Sequence, residues 1–250
     1  MNQLQTLHTA LKNRSLLKVI AGITNFNTER VVAIAKAAHA GGADAVDIAA
    51  DPTLVQAVKA NAPLVVFVSS TDPAALIACA EHADVLELGN FDAMYRAGKN
   101  PTAAEILAWA REVKDAVGGS RPFCVTVSGL LPLAEQTQLA QDLEALGVDI
   151  LQTEGQVGPQ SDDTFAALSS AVSALGNTAE IRRVVNLPLL LAGGFNTISA
   201  PFALGAGADA LGVGQAITRH EGTHEMIAEV QALRAAMESS RAQGRGLATV

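Results

Sequence analysis

The sequence predicts an α/β fold, a single (βα)8 TIM barrel with an extra N-terminal helix. Three observations predict it. Short apolar runs of β type alternate with longer helical stretches from end to end, the pattern of a parallel sheet under crossover helices. Gly42-Ala43-Asp44, Gly147-Val148-Asp149 and Gly207-Ala208-Asp209 each precede a β-type run, with His82-Ala83-Asp84 as a degenerate fourth copy, and this is a weak internal repeat. No linker rich in Pro, Gly or Ser and no charge run divides the 250 residues, a length that one such barrel takes up whole. One domain over residues 1–250 is expected, with 1–16 as the N-terminal helix and entry and 17–250 as the barrel.

In chain order, the extra helix runs from Asn2 to Asn13. Eight strands follow: Leu17 to Ile23, Ala45 to Ala49, Leu64 to Ser69, Val85 to Leu88, Phe123 to Val127, Ile150 to Thr153, Pro188 to Ala192 and Ala210 to Val213. Helical segments begin near Asn27, Pro52, Pro73, Thr102, Pro132, Asp162, Thr197 and Thr218. Asp51 before Pro52 and Asp72 before Pro73 place a capping carboxylate ahead of a proline at the first helical position. Thr102 with Glu105 makes a capping box. Glycine in the repeat ends a helix in the left-handed conformation, and the aspartate then opens the next strand. A doubly wound open sheet is the competing topology, and eight strands favour closure.

Composition narrows the function. With 17 Lys and Arg against 25 Asp and Glu the chain carries a formal charge of −8, and aromatics are 4% with one Trp and one Tyr. Nucleic-acid binding needs clustered cations and stacking platforms, so no nucleic-acid partner is expected. The uncharged stretch Val184 to Ala208 is broken by Asn186, Pro188, Gly193, Gly194, Asn196, Pro201 and Gly205, so no membrane span is expected either. Cys79 and Cys124 form no CxxC pair and read as free thiols, Cys124 as core. The N-terminal residues lack a secretory pattern, which points to the cytoplasm. The apolar outer helices would suit a homo-oligomer.

In a barrel the active site is built from strand ends and the loops after them. Two of these loops are rich in glycine: Ala192-Gly193-Gly194 after strand seven and Gly212-Val213-Gly214-Gln215 after strand eight. Glycine lets backbone N–H groups approach an anion closely, so Gly193, Gly194, Gly212, Gly214 and Gln215 are the candidate phosphate cradle. The bland alternative is that these glycines only permit tight turns.

The second signal is charge inside strands that should be apolar on both faces. Period-two counting puts Val46 and Ile48 on one face and Asp47 on the other, Leu86 and Leu88 opposite Glu87, and Val19 and Ala21 opposite Lys18. Gln152, Glu154 and Thr126 can face the same interior. Lys18, Asp47, Glu87 and Glu154 are the candidate catalytic groups, since a cation among carboxylates in a low dielectric does proton chemistry. Lys18 would act as a Schiff-base nucleophile or as the electrostatic partner of an enolate. The alternative is a structural ion pair filling the barrel floor. The loops Asn90 to Pro101, which holds Tyr95, Arg96 and Lys99, and Gly155 to Asp163 are long enough to serve as lids.

Two motif matches are set aside. His220-Glu221-Gly222-Thr223-His224 fits H-E-x-x-H, but Gly222 weakens the helix that must hold both ligands, and no metal site is predicted. The G-x-G-x-x-A match at Gly205 to Ala210 closes a helix and precedes a strand, the reverse of a dinucleotide site.

Four blocks, Lys18 to Phe26, Asp47 to Asp51, Glu87 to Asp92 and Gln152 to Gly155, occur together in one order. On them the chain resembles the hypothetical chloroplast reading frame twenty-three (ycf-series) family of cyanobacteria and algal plastids, over nearly its whole length. The resemblance implies a (βα)8 barrel of unknown function, and a plastid stroma location in plastid-bearing relatives. It adds Asn25, Asp51, Asn90, Asp92 and Gln152 as candidate substrate-binding residues to the four catalytic candidates. The expected function is that of a lyase, aldolase-like synthase or isomerase acting on a phosphorylated small metabolite. The alternatives are a regulatory barrel that binds the metabolite without turnover, or an FMN-dependent oxidoreductase holding the flavin phosphate on the same glycines.

Overall fold

The structure is a computed structural model that describes residues 2–156 and 164–247, with residues 92, 93 and 240–247 described by their backbone alone. Eight parallel strands close into a barrel in the order β1 to β8: Leu16–Ile20, Ala45–Ala49, Val65–Ser70, Val85–Leu88, Phe123–Val127, Ile150–Thr153, Leu189–Leu191 and Ala210–Val213. Among the described residues ten α-helices accompany them: α1 Gln3–Lys12, α2 Thr28–Ala40, α3 Pro52–Asn61, α4 Pro73–Cys79, α5 Asp92–Arg96, α6 Ala103–Val117, α7 Leu133–Leu146, α8 Thr164–Arg182, α9 Gln215–Thr218 and α10 Thr223–Leu247. The expected strands are all present, although β1 ends at Ile20 rather than Ile23.

Three helical expectations need correction. The segment after β7 forms only a 3-10 turn over Ala200–Phe202, because Pro201 and the glycines Gly205 and Gly207 crowd a stretch too short for a stable α-helix. The segment after β8 divides into the single turn α9 and the long α10, interrupted at His220 to Gly222. The loop after β4 contains the short helix α5, which was not expected. The caps behave as the residues dictate. Asp51 accepts from Leu54 N at 2.8 Å, Asp72 from Ala74 N at 3.0 Å, and Thr102 and Glu105 cap each other's backbone. Gly42 and Gly147 close α2 and α7 with φ of +87° and +83°, and Gly207, with φ of +100°, closes the turns that follow the 3-10 segment.

The repeat has a structural purpose. Each aspartate pairs twice with one residue of the preceding strand: its N–H donates to that residue's carbonyl and its carboxylate accepts from that residue's N–H. The carboxylate bonds run to Leu17 N at 2.8 Å (Asp44), Val66 N at 2.9 Å (Asp84), Phe123 N at 2.9 Å (Asp149) and Leu189 N at 2.9 Å (Asp209). The reciprocal backbone bonds are 2.8 to 3.1 Å long. Strands are thereby stapled in pairs, β1 to β2, β3 to β4, β5 to β6 and β7 to β8. A cation covers each carboxylate: Arg234 at 2.6 Å, Lys59 at 2.7 Å, Lys114 at 3.9 Å and Arg182 at 3.1 Å.

Two apolar clusters fill the molecule. The larger lies between strands and helices and includes Val19, Val46, Ile48, Val66, Leu86 and Leu88. The smaller is inside the barrel, where Leu16, Ala45, Val65, Val85, Ile150, Leu190 and Ala210 meet Leu7, Ala10 and Leu11 of α1. The N-terminal helix therefore plugs the barrel at the strand starts, which leaves the opposite end for chemistry.

Candidate functional site

Along the inner face, composition changes from apolar to polar on six strands. Leu16 is followed by Lys18, Ala45 by Asp47, Phe67 by Ser69, Val85 by Glu87, Cys124 by Thr126 and Ile150 by Gln152, all of them buried. On β7 and β8 the corresponding residues, Leu190, Ala192, Ala210 and Gly212, are small or apolar.

Lys18 is the hub. Its Nζ donates to Glu87 Oε2 at 2.5 Å and Gln152 Oε1 at 2.9 Å, lies 3.7 Å from Asp47 Oδ2, and sits 4.8 Å from the centre of the Phe67 ring. Lys18 and Glu87 are wholly excluded from solvent and Asp47 is 1% exposed. Asp47 accepts from the Ser69 hydroxyl and, at 2.8 Å, from Asn90 Nδ2. Asn90 Nδ2 also reaches Glu87 Oε1 at 3.3 Å, while Gln152 Nε2 donates to Asn90 Oδ1 and Thr126 Oγ1, both at 3.1 Å. Asn90 thus roofs the cluster, and it does so from a left-handed backbone with φ of +58°. The preceding Gly89 allows this because a Cβ there would fall 1.8 Å from Thr126 Oγ1.

Burial sets the protonation states. It drives the Asp47 carboxyl up from its ordinary 3.8 to about 7, with the Lys18 charge opposing and Glu87 assisting. Burial would discharge Lys18, but the charges of Glu87 and Asp47 outweigh it and hold the ammonium above its ordinary range. Cys124 is buried as expected, yet it lies against Glu87 rather than among apolar groups alone. Burial first, and Glu87 next, push its thiol well above the usual range. At neutral pH the site holds a fixed Lys18 cation and an Asp47 poised to give or take a proton.

The other candidates distribute differently. Glu154 belongs to a second network, in which its Oε1 accepts from Tyr95 OH at 2.5 Å and Gly129 N at 3.3 Å, with Ser128 Oγ 2.6 Å from the same phenol. Tyr95 anchors α5, so the loop after β4 is tied to the barrel mouth, whereas Arg96 and Lys99 are exposed. Asp51 caps α3, and Asn25 bridges Ala21 O and Asn27 N within its own loop. Asp92 starts α5, its side chain lying outside the described residues, as do residues 157–163 of the loop after β6. Ser69, Tyr95, Ser128 and Cys124 were not among the candidates. Period-two counting from Phe67 and Thr126 would have placed Ser69 and Ser128 inside, whereas the Tyr95 contact is visible only in three dimensions.

Among the phosphate candidates, Gly193 and Gly194 have φ of +104° and +74°. A Cβ on Gly194 would come 2.4 Å from Ala167 O of α8, so close helix packing also demands glycine there. Gly212 faces Leu190, Ile20 and Ala192 inside the barrel, while Gly214 and Gln215 stand at the mouth. His220 precedes α10 and His224 lies within it, so the two histidines do not share a helix face. Among the described residues no group of three or more His, Cys, Asp or Glu is placed to hold a metal. A cleft of about 540 Å³ opens between α7 and α8, lined by Leu131, Gln136, Ser173 and Asn177, outside the barrel that Lys18 faces.

Residues 1–243 match the family described as "Protein of unknown function (DUF561)". The chain belongs to the DUF561 family. Curated relatives named "Uncharacterized protein ycf23" include that of Cyanophora paradoxa, 37% identical over 222 residues that cover 87% of this chain and 90% of the relative. That of Antithamnion sp. is 36% identical, covering 85% and 81%. Solved structures share the barrel. 3-Hexulose-6-phosphate synthase matches with TM-score 0.64 at 20% identity, covering 89% of this chain and 99% of its own. (S)-3-O-geranylgeranylglyceryl phosphate synthase from Thermoplasma acidophilum, solved with sn-glycerol-1-phosphate, matches with TM-score 0.66 at 13% identity, covering 95% and 98%. Among the described residues no helix of this DUF561 chain is long and apolar enough to cross a membrane.

Proposed function

We propose that this protein is an enzyme that performs proton chemistry, as a lyase, aldolase-like synthase or isomerase, on a phosphorylated small metabolite. The observation that carries the reading is the solvent-excluded Lys18, Glu87 and Asp47 group at the open end of a barrel whose other end is plugged. Solved structures sharing the barrel are of synthases named for phosphate compounds, one of them bound to sn-glycerol-1-phosphate, which supports a phosphate at the loops of Gly193, Gly194 and Gly214. In this reading Asp47 moves the proton and Lys18 stabilises negative charge developing on the substrate. The ion pair with Glu87 keeps Lys18 protonated, which favours electrostatic stabilisation over Schiff-base formation, because the nucleophile in the latter is the neutral amine.

Native mass spectrometry of freshly purified protein, compared with Gly214→Asp, tests the cradle. A Cβ at Gly214 meets nothing closer than 3.4 Å, so the variant adds a carboxylate without a backbone clash, unlike a change at Gly194. A phosphate-containing adduct on the wild type that is missing from the variant is expected. Wild-type protein that binds neither a co-purified ligand nor any member of a sugar-phosphate panel would refute the reading.

A further inference from the structure

Lys18 and Glu87 are wholly excluded from solvent, and Asp47, Ser69, Thr126 and Gln152 are no more than 1% exposed. No ligand reaches them while the site stays as it is. Of the side chains bonded into the cluster Asn90 is the half-buried one, so it forms the wall between the cluster and the barrel mouth. Its carboxamide makes three contacts there. Nδ2 donates to Asp47 Oδ2 at 2.8 Å and to Glu87 Oε1 at 3.3 Å, and Oδ1 accepts from Gln152 Nε2 at 3.1 Å. Rotation about the Cα–Cβ bond withdraws all three contacts at once and leaves the backbone, whose N–H meets Thr126 Oγ1 at 3.4 Å, in place. The vacated position then presents two acceptors beside the Gln152 donor. The third N–H of the Lys18 ammonium is also free to turn to a ligand, since it faces Asp47 Oδ2 at 3.7 Å, beyond hydrogen-bond length. Buried polar groups need partners, so whatever replaces the carboxamide must carry a donor beside an acceptor.

We infer that the Asn90 carboxamide is a placeholder for an α-hydroxycarbonyl group of the ligand, which displaces it to reach Lys18 and Asp47. The hydroxyl takes the place of Nδ2 between Asp47 and Glu87, and it fits either protonation state of Asp47 because a hydroxyl both donates and accepts. The carbonyl oxygen takes the place of Oδ1 before Gln152 Nε2. This rests on the proposed proton chemistry and phosphate reading and names the substrate class, a hydroxyketone or hydroxyaldehyde that carries a phosphate. In the step it permits, the Asp47 carboxylate takes the proton from the hydroxyl-bearing carbon, the C–H electron pair becomes the C=C bond and the carbonyl π pair moves to oxygen. The enediolate formed faces Gln152 Nε2 and the Lys18 ammonium, and Asp47 returns the proton to either carbon.

The test uses titration calorimetry on the full chain with dihydroxyacetone phosphate and ribulose 5-phosphate, each beside its form without phosphate. Glycine accepts the left-handed backbone that Asn90 adopts, so Asn90→Gly empties the position without strain. The variant is expected to bind the hydroxyketones more tightly than wild type, by about fivefold or more, the worth of one net hydrogen bond. A residue that holds the ligand would weaken binding when removed. Asn90→Asp tolerates the same backbone and sets a carboxylate against Glu87 in place of the donor amide, so it should shift affinity in the same direction and serves if Asn90→Gly does not fold. Weaker or unchanged binding by the folded variants overturns the inference. In heavy water wild-type protein is expected to exchange the proton on the hydroxyl-bearing carbon, read by proton NMR, and Asp47→Asn to slow the exchange about a hundredfold or more. A bound hydroxyketone that keeps that proton overturns the substrate class. If phosphate adds nothing to affinity while the Asn90 variants still bind more tightly, the phosphate reading fails and the placeholder stands. If phosphate adds affinity while the variants bind less tightly, the placeholder fails and the phosphate reading stands. Absence of binding by all four compounds overturns both.

Discussion

Asp47 ties the stability of this barrel to pH. Its carboxyl titrates near 3.8 in the unfolded chain and at about 7 in the folded one, so between those values the folded state holds a proton that the unfolded state has lost. The stabilisation this brings is complete below pH 4 and is lost as pH rises through 7. A difference of about 3 units corresponds to roughly 4 kcal/mol, of which about 2 to 3 kcal/mol falls between pH 5 and pH 8. Asp47→Asn removes the titration while keeping the shape of the side chain. Urea unfolding of both proteins at half-unit intervals from pH 5 to pH 8 isolates the contribution, since other titrating groups cancel in the difference. Wild-type stability should fall relative to the variant by about 2 to 3 kcal/mol across that range. Parallel curves, or wild-type stability that rises relative to the variant as pH increases, would show that Asp47 is ionised in its folded site and that the proton-transfer role fails.

The buried ion pair gives a second test: Lys18→Met should destabilise by about 3 to 5 kcal/mol by leaving Glu87 uncompensated, and adding Glu87→Gln should restore much of that in a double-mutant cycle. Asp44→Ala removes both the acceptor for Leu17 N and the Arg234 partner, so chemical unfolding should show a loss of about 1 to 3 kcal/mol, with Asp44→Asn losing less. Leu7→Ala opens the barrel plug and should cost about 2 to 5 kcal/mol without altering ligand selectivity. Gly194→Ala should lower the melting temperature through its positive φ and the contact with Ala167 O, while Gly214→Ala, which has room, should not.

The fold was legible because each of its causes is local. Apolar runs, proline after a capping aspartate and glycine before the repeated aspartate each act over a few residues, and together they position every strand. The helix expected after Thr197 failed for a local reason as well, since proline and glycine outweighed the apolar pattern there. The inward direction of Lys18, Asp47 and Glu87 followed from the two-residue period of a strand. The same rule covered Ser69 and Ser128, which polar character alone had not singled out.

Other features depend on which strand neighbours which around a closed barrel. Sequence could not tell that Lys18 pairs with Glu87, from a strand three places along, at 2.5 Å but leaves Asp47 at 3.7 Å. That geometry decides which carboxyl keeps a proton. Nor could it separate Glu154 from the Lys18 cluster and join it to Tyr95, or recruit Cys124 to Glu87, because those contacts span 59 and 37 residues of chain. It also could not distinguish Asp51, spent on a helix cap, from Asp47, spent on the barrel interior. The sequence by itself determined that eight strands alternate with helices and that three charges point inward, because both are consequences of short-range periodicity. Only the tertiary structure decided how those charges share their partners, because closure of the barrel sets the distances on which pairing and protonation depend.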